Sequence, residues 1–176
     1  MATTFKKVGY GQVEPNHLSA QKTGQTFAQL PVKSSIEVLE NGQFIKYDMA
    51  AGECNYSGDG EWLLVYNEVK LYKNEQTKKD FALKQGDYVD GSDPISHNGV
   101  GPFNGQMYSR NYKTNIGDIF TTNMLKDADY TLGDKLAVGT TGVLEVGVGT
   151  EDIVWKIVKI YTLADGQPAV KIQRIK

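Results

Sequence analysis

A chain of 176 residues, 40% hydrophobic and 23% charged, has ordinary globular composition and is long enough to bury a core without disulfide staples. Its formal net charge of −2 argues against a basic nucleic-acid binder, and its single cysteine, Cys54, excludes an intrachain disulfide and a cysteine-built zinc cluster. No apolar run approaches the roughly 18 residues of a membrane span, and MATTFKKVGYGQVEPNH at the start lacks the apolar centre of a secretion signal, so a soluble protein folding in a cytoplasm is expected.

Residues 1–33 differ from the rest. They carry Lys6, Lys7, Lys22 and Lys33 against the single acid Glu14, a charge of +3, whereas the remainder holds 15 bases and 20 acids, a charge of −5. No helix or strand period persists through this segment, yet Phe5, Val8, Tyr10, Val13, Leu18, Phe27, Leu30 and Val32 recur along it. It reads as an extended N-terminal arm whose spaced apolar side chains anchor in another subunit. A meandering segment packed on its own domain is the competing reading. Phe5, Tyr10, Leu18, Phe27 and Leu30 are the candidate anchors.

The body, residues 34–176, reads as one β-rich domain. SSIEVLE and QFIKYDM flank Asn41-Gly42, the strongest short hairpin signal. EWLLVYNEVKLY (61–72) is a longer apolar run, and NEQTKKDFALKQG (74–86) has the N-cap and terminal glycine of a short helix. A long irregular loop follows at about 86–106, crowded with Gly, Asp, Asn and Pro. QMYSRNYK and GDIFTTNML read as strands, and alternate spacing puts Tyr108, Arg110 and Tyr112 on one strand face, a group suited to an interface. YTLGDKLAVGTTGVLEVG (130–147) is a hairpin turning at Thr140-Thr141, with Leu132, Leu136, Val138, Leu144, Val146 and Val148 on one half-buried face. The last segment, DIVWKIVKIYTLADGQPAVKIQRIK, is a second hairpin around Asp165-Gly166. Short strands with frequent turns predict a mainly β fold, a small antiparallel β-sandwich or β-barrel.

Chemistry-bearing motifs are sparse. Ser19, Lys22 and Lys22-Thr23-Gly24 overlap within six residues, too close to form the separated elements of a penicillin-binding site. Asp87, Asp90 and Asp93 lack the alternation and final glutamate of an EF-hand, and turn formation explains them better than a looser Ca²⁺ site. His17 and His97 have no partner at ligand spacing. Asn55-Tyr56-Ser57 matches a glycosylation acceptor by chance, and Trp62 and Trp155 sit in apolar strands as core candidates. No catalytic residue, metal or cofactor is assigned, and no enzymatic activity is expected.

GDIFTTN (117–123), YTLGDKLAVGTTGVLEVG (130–147) and WKIVKIYTLADGQPAVKIQRI (155–175) together follow a recognisable plan: a Gly-Asp-apolar strand, a Gly-Asp-x-Leu hairpin closed by a Thr/Gly turn, and a final strand pair. Over roughly these last 60 residues the chain resembles the head decoration (cement, or auxiliary capsid) proteins of tailed bacteriophages. The resemblance implies a small β domain made in the bacterial host cytoplasm and bound to the capsid exterior. Its partners would be the major capsid protein and neighbouring copies of itself, with neither nucleic acid nor membrane. Some members of that family extend an N-terminal arm over the capsid protein. A tail or head-fibre component, or a β-sandwich binding carbohydrate or a host surface, remains the alternative.

Overall fold

The structure is a computed structural model that describes residues 2–7, 9–67, 83–84, 107–164 and 166–176. The first half contributes β1 (Thr3–Phe5), β2 (Val13–His17), one helical turn α1 (Ser19–Thr23), β3 (Thr26–Phe27), β4 (Val38–Leu39), β5 (Phe44–Asp48), β6 (Glu53–Asn55) and β7 (Leu63–Val65). The second contributes β8 (Leu83–Lys84), β9 (Asn111–Tyr112), β10 (Ile119–Thr122), β11 (Ala128–Tyr130), β12 (Lys135–Val138), β13 (Leu144–Val146), β14 (Trp155–Thr162) and β15 (Pro168–Arg174).

Two antiparallel sheets dominate. One has six strands in the order β13-β12-β14-β15-β10-β2, the other five in the order β3-β9-β7-β5-β6. Two small pairs, β1-β11 and β4-β8, flank them. The protein is a β-sandwich, not a closed barrel.

Period two explains the burial. Trp155, Ile157, Val170 and Ile172 turn one face of the long final hairpin into the principal core, where Phe120, Leu136, Leu144, Phe44 and Leu64 meet them. Phe120 packs edge-on against Trp155 at 5.0 Å between ring centroids, and Phe44, from the facing sheet, lies 5.9 Å from Trp155. Each such ring contributes about 1.5–3 kcal/mol by leaving water. Among the described residues the Trp155 indole N–H has no acceptor, so part of that gain is offset by an unpaired donor. The five-stranded sheet is covered on its other face too. Ile45, Cys54, Val65 and Met107 pack there under Val32, Ile36 and Leu39, which explains the unbroken apolar runs Phe44-Ile45 and Leu63-Leu64-Val65.

Both hairpins expected in the last third are present, with β12 paired to β13 and β14 to β15. The β14–β15 ladder carries a bulge between Ile157 and Lys159 that period two did not foreshadow. The hairpin expected at Asn41-Gly42 is corrected. The chain does turn there, with the Gln43 N–H donating to the Glu40 carbonyl, but β4 pairs with β8 while β5 pairs with β6 and β7. Asn41 uses its side chain instead. Its Oδ1 accepts the Asn67 N–H at 2.8 Å and its Nδ2 donates to the Asn67 carbonyl, holding the two loops together.

The helix expected over 74–86 is corrected at Leu83–Lys84, which form strand β8; its other residues lie outside those described. So do the loop at 86–106, Asp87, Asp90, Asp93 and His97, and the 61–72 run beyond Asn67.

The described residues among the first 33 lie against the chain's own body. The strand β1 pairs with β11, β2 forms an edge of the six-stranded sheet against β10, β3 pairs with β9, and Val32 bridges to Cys54. The extended segment therefore completes this domain's sheets rather than projecting from them.

Candidate interaction surface

The expected anchors divide by where their strands run. Phe5 and Leu18 are 3% and 2% exposed in the principal core, and the Phe5 ring stands edge-on to Tyr130 at 5.5 Å. Neither is presented to another molecule. Phe27 and Leu30 flank the second core, Phe27 meeting Tyr47 edge-on at 5.8 Å. Tyr10 is half-buried, and its carbonyl accepts from the Asn123 side chain at 3.0 Å.

Polar side chains pin this N-terminal run. Asn123 also accepts the Gln12 N–H at 2.7 Å. Buried Asp118 receives both the N–H and the hydroxyl of Ser19 at 2.9 and 3.0 Å. Thr4 donates to Asp129, and Lys7 forms an ion pair with Glu40. Ser19 also accepts from Asn115 at 2.7 Å, so its hydroxyl serves as a tether and the Ser-x-x-Lys spacing makes no nucleophile–base pair. None of these pins was visible in the sequence, because each joins residues more than thirty positions apart.

Tyr108, Arg110 and Tyr112 do alternate with buried Met107, Ser109 and Asn111, placing the three on one face. The structure joins Tyr112 to Tyr66 at 5.7 Å, beside the rim of the principal core. Burial, followed by the neighbouring Tyr112, raises the Tyr66 phenol above its usual range. Trp62 is half-buried at the same rim with Lys46 over its ring at 4.9 Å, while Trp155 is fully enclosed. Asn55 is buried and its amide donates to Glu53 and Asp48, which leaves it unsuited to glycosylation.

The largest departure lies in the β12–β13 hairpin. Leu136 and Leu144 are buried, but Leu132, Val146 and Val148 of the same apolar face are 68%, 58% and 80% exposed. Leu132 lies in the turn before β12 and Val148 beyond the end of β13, outside the paired strands, so alternation fixed the face and left the extent of its cover open. β13 is also an edge strand, where Leu144 accepts from the Lys126 N–H and Val146, opposite Leu136, is exposed. A shallow groove of about 500 Å³ beside the hairpin turn is lined by Lys7, Met124, Lys126, Thr140, Thr141 and Glu145.

Among the described residues, no three His, Cys, Asp or Glu side chains converge to hold a metal ion, and no helix is long and apolar enough to cross a membrane. Burial raises the Cys54 thiol to about 12, partly opposed by the Asn111 side-chain amide at 3.8 Å. No family model, curated protein or solved structure matches the chain.

Proposed function

We propose that the protein is a structural virion component that binds the outside of a tailed-phage capsid and stabilises contacts between major capsid protein subunits. The observation that carries this reading is the β12–β13 hairpin. It holds one of the three segments on which the resemblance rests, and Leu132, Val146 and Val148 at its open end are exposed to solvent. Exposed apolar side chains beside an edge strand suit a contact with another protein. Phe5 and Leu18 belong to the chain's own core, so in this reading the hairpin, with Tyr108, Arg110 and Tyr112 as a second contact, meets the shell.

Co-sedimentation of the full chain with undecorated capsids from the same source tests the reading. Saturable binding is expected, with Leu132→Asp/Val148→Asp weakening it by about tenfold or more through lost apolar contact. A wild-type chain that stays in the supernatant would end the capsid reading.

A host-surface reading has one observation in its favour, the half-exposed aromatic rim of Trp62, Tyr66 and Tyr112. It predicts glycan-dependent quenching of Trp62 fluorescence. Unchanged emission over a glycan panel counts against it.

A further inference from the structure

The outer face of the six-stranded sheet carries a charge pattern that the fold itself does not require. Residues paired across an antiparallel ladder share a face, and the pairings here are Lys135 with Lys156, Lys156 with Gln173, and Lys159 with Lys171. Four lysines therefore occupy three neighbouring strands, within about 10 Å across the sheet at the usual strand spacing. Lys135, Lys156 and Lys159 are exposed and Lys171 is half-buried. Among the described residues none of the four has a carboxylate within 4.0 Å, although other lysines of the chain find theirs: Lys7 with Glu40, Lys33 with Glu53, Lys113 with Glu61 and Lys126 with Glu145.

The bulge helps to build this face. Ile157 pairs with Ile172 on the core side, and the extra residue Val158 then lets Lys159 emerge beside Lys156 instead of following Ile157 inward. Like charges directly opposite one another repel. A chain with 21 acids and 19 bases had acids to spare for these positions.

We propose that this sheet face docks a carboxylate-rich surface of a partner protein, with Lys135, Lys156, Lys159 and Lys171 as the contacting groups. Charge complementarity argues for that partner, and the borders of the patch argue for its size. Glu14 on β2 closes one side, accepting the Tyr161 hydroxyl at 2.8 Å, and Glu145 on β13 closes the other. A long polyanion crossing the sheet would run into both acids, whereas a compact acidic surface fits between them. Among the described residues the face offers no open ring for base stacking, because Lys159 lies over Tyr161 at 5.4 Å. The inference stands independently of the capsid reading.

The test is a titration of the full chain with a short tetraglutamate peptide, compact enough to lie between Glu14 and Glu145, at low salt, followed through backbone amide chemical shifts. Shifts gathered on β12, β14 and β15 are expected. Lys156→Gln/Lys171→Gln should bind about tenfold more weakly, while the charge-matched Lys6→Gln/Lys22→Gln, on the N-terminal run, stays within about twofold of wild type. The stripe variant should melt no lower than wild type, since it relieves repulsion. Absence of binding, equal loss in both variants, or a lower melting temperature in the stripe variant overturns the proposal. So does a single-stranded DNA of matched charge that occupies the same face as tightly.

Discussion

Cys54 shows how a single position is decided by its surroundings. Its side chain points into the second core beside Ile45, Val65 and Met107, and its backbone N–H and carbonyl are bonded to Pro31 and Lys33. Burial disfavours the thiolate and raises the thiol from an ordinary value of 9.0 to about 12. At pH 8 only roughly one thiol in ten thousand is then ionised in the folded protein. Iodoacetamide at pH 8 should therefore leave the native chain unmodified and label it rapidly in urea; equal rates in the two conditions would contradict this burial. The linkage follows in sign. The unfolded chain releases this proton first, so the stabilisation is complete below about pH 9 and declines as pH rises toward 12.

At the scale of elements, the hairpin turn at residues 139–142 makes a sharper claim. Gly142 has φ +75°, and a Cβ there would sit 2.1 Å from the Phe44 carbonyl oxygen of the facing sheet. Its own carbonyl accepts the Phe44 N–H at 2.7 Å, so the two sheets touch through backbone at this point. Gly52 has a similar φ of +68° and open space around it. Gly142→Ala should lower Tm by about 4–8 °C and Gly52→Ala by less than about 4 °C; equal losses would mean that backbone strain alone matters. This hairpin, β10 and the β14–β15 pair were legible in the sequence because alternation and turn residues agreed over long runs. The region 34–48 was not. Asn41-Gly42 announces a turn without naming the strands that pair around it, and a two-residue strand such as β4 is too short to display a period. The bulge at Val158 shifts the parity of the strand after it, so the lysine face had no signature in the alternation. Tyr108, Arg110 and Tyr112 were placed on one face correctly because their alternation persists from Met107 to Tyr112. Phe5 and Leu18 were expected to anchor in another subunit and are buried in this chain's own core, because an apolar pattern does not reveal whose core receives it.

The whole molecule turns on that last distinction. If residues 1–33 were a detachable arm, residues 34–176 would fold alone. Here Phe5, Val13 and Leu18 enter the principal core and Val32 the second, and β2 covers the edge of β10. Four buried side chains at about 1.5–3 kcal/mol each amount to a large part of the 5–15 kcal/mol by which a domain of this kind is stable. Removal would also strand the polar groups that now hold the run, since Asp118 would lose Ser19 and the Asn123 side chain would lose Gln12 and Tyr10. A buried carboxylate or amide left without its partners costs more than the hydrogen bond itself contributed. The fragment 34–176 should accordingly show no cooperative thermal transition and poor amide dispersion, where the full chain shows both. A fragment that melts within a few degrees of the full chain would mean that the sheets stand without β1 and β2. The first 33 residues would then be available to a neighbour after all, and a capsid-binding role would pass from the β12–β13 hairpin back to the arm.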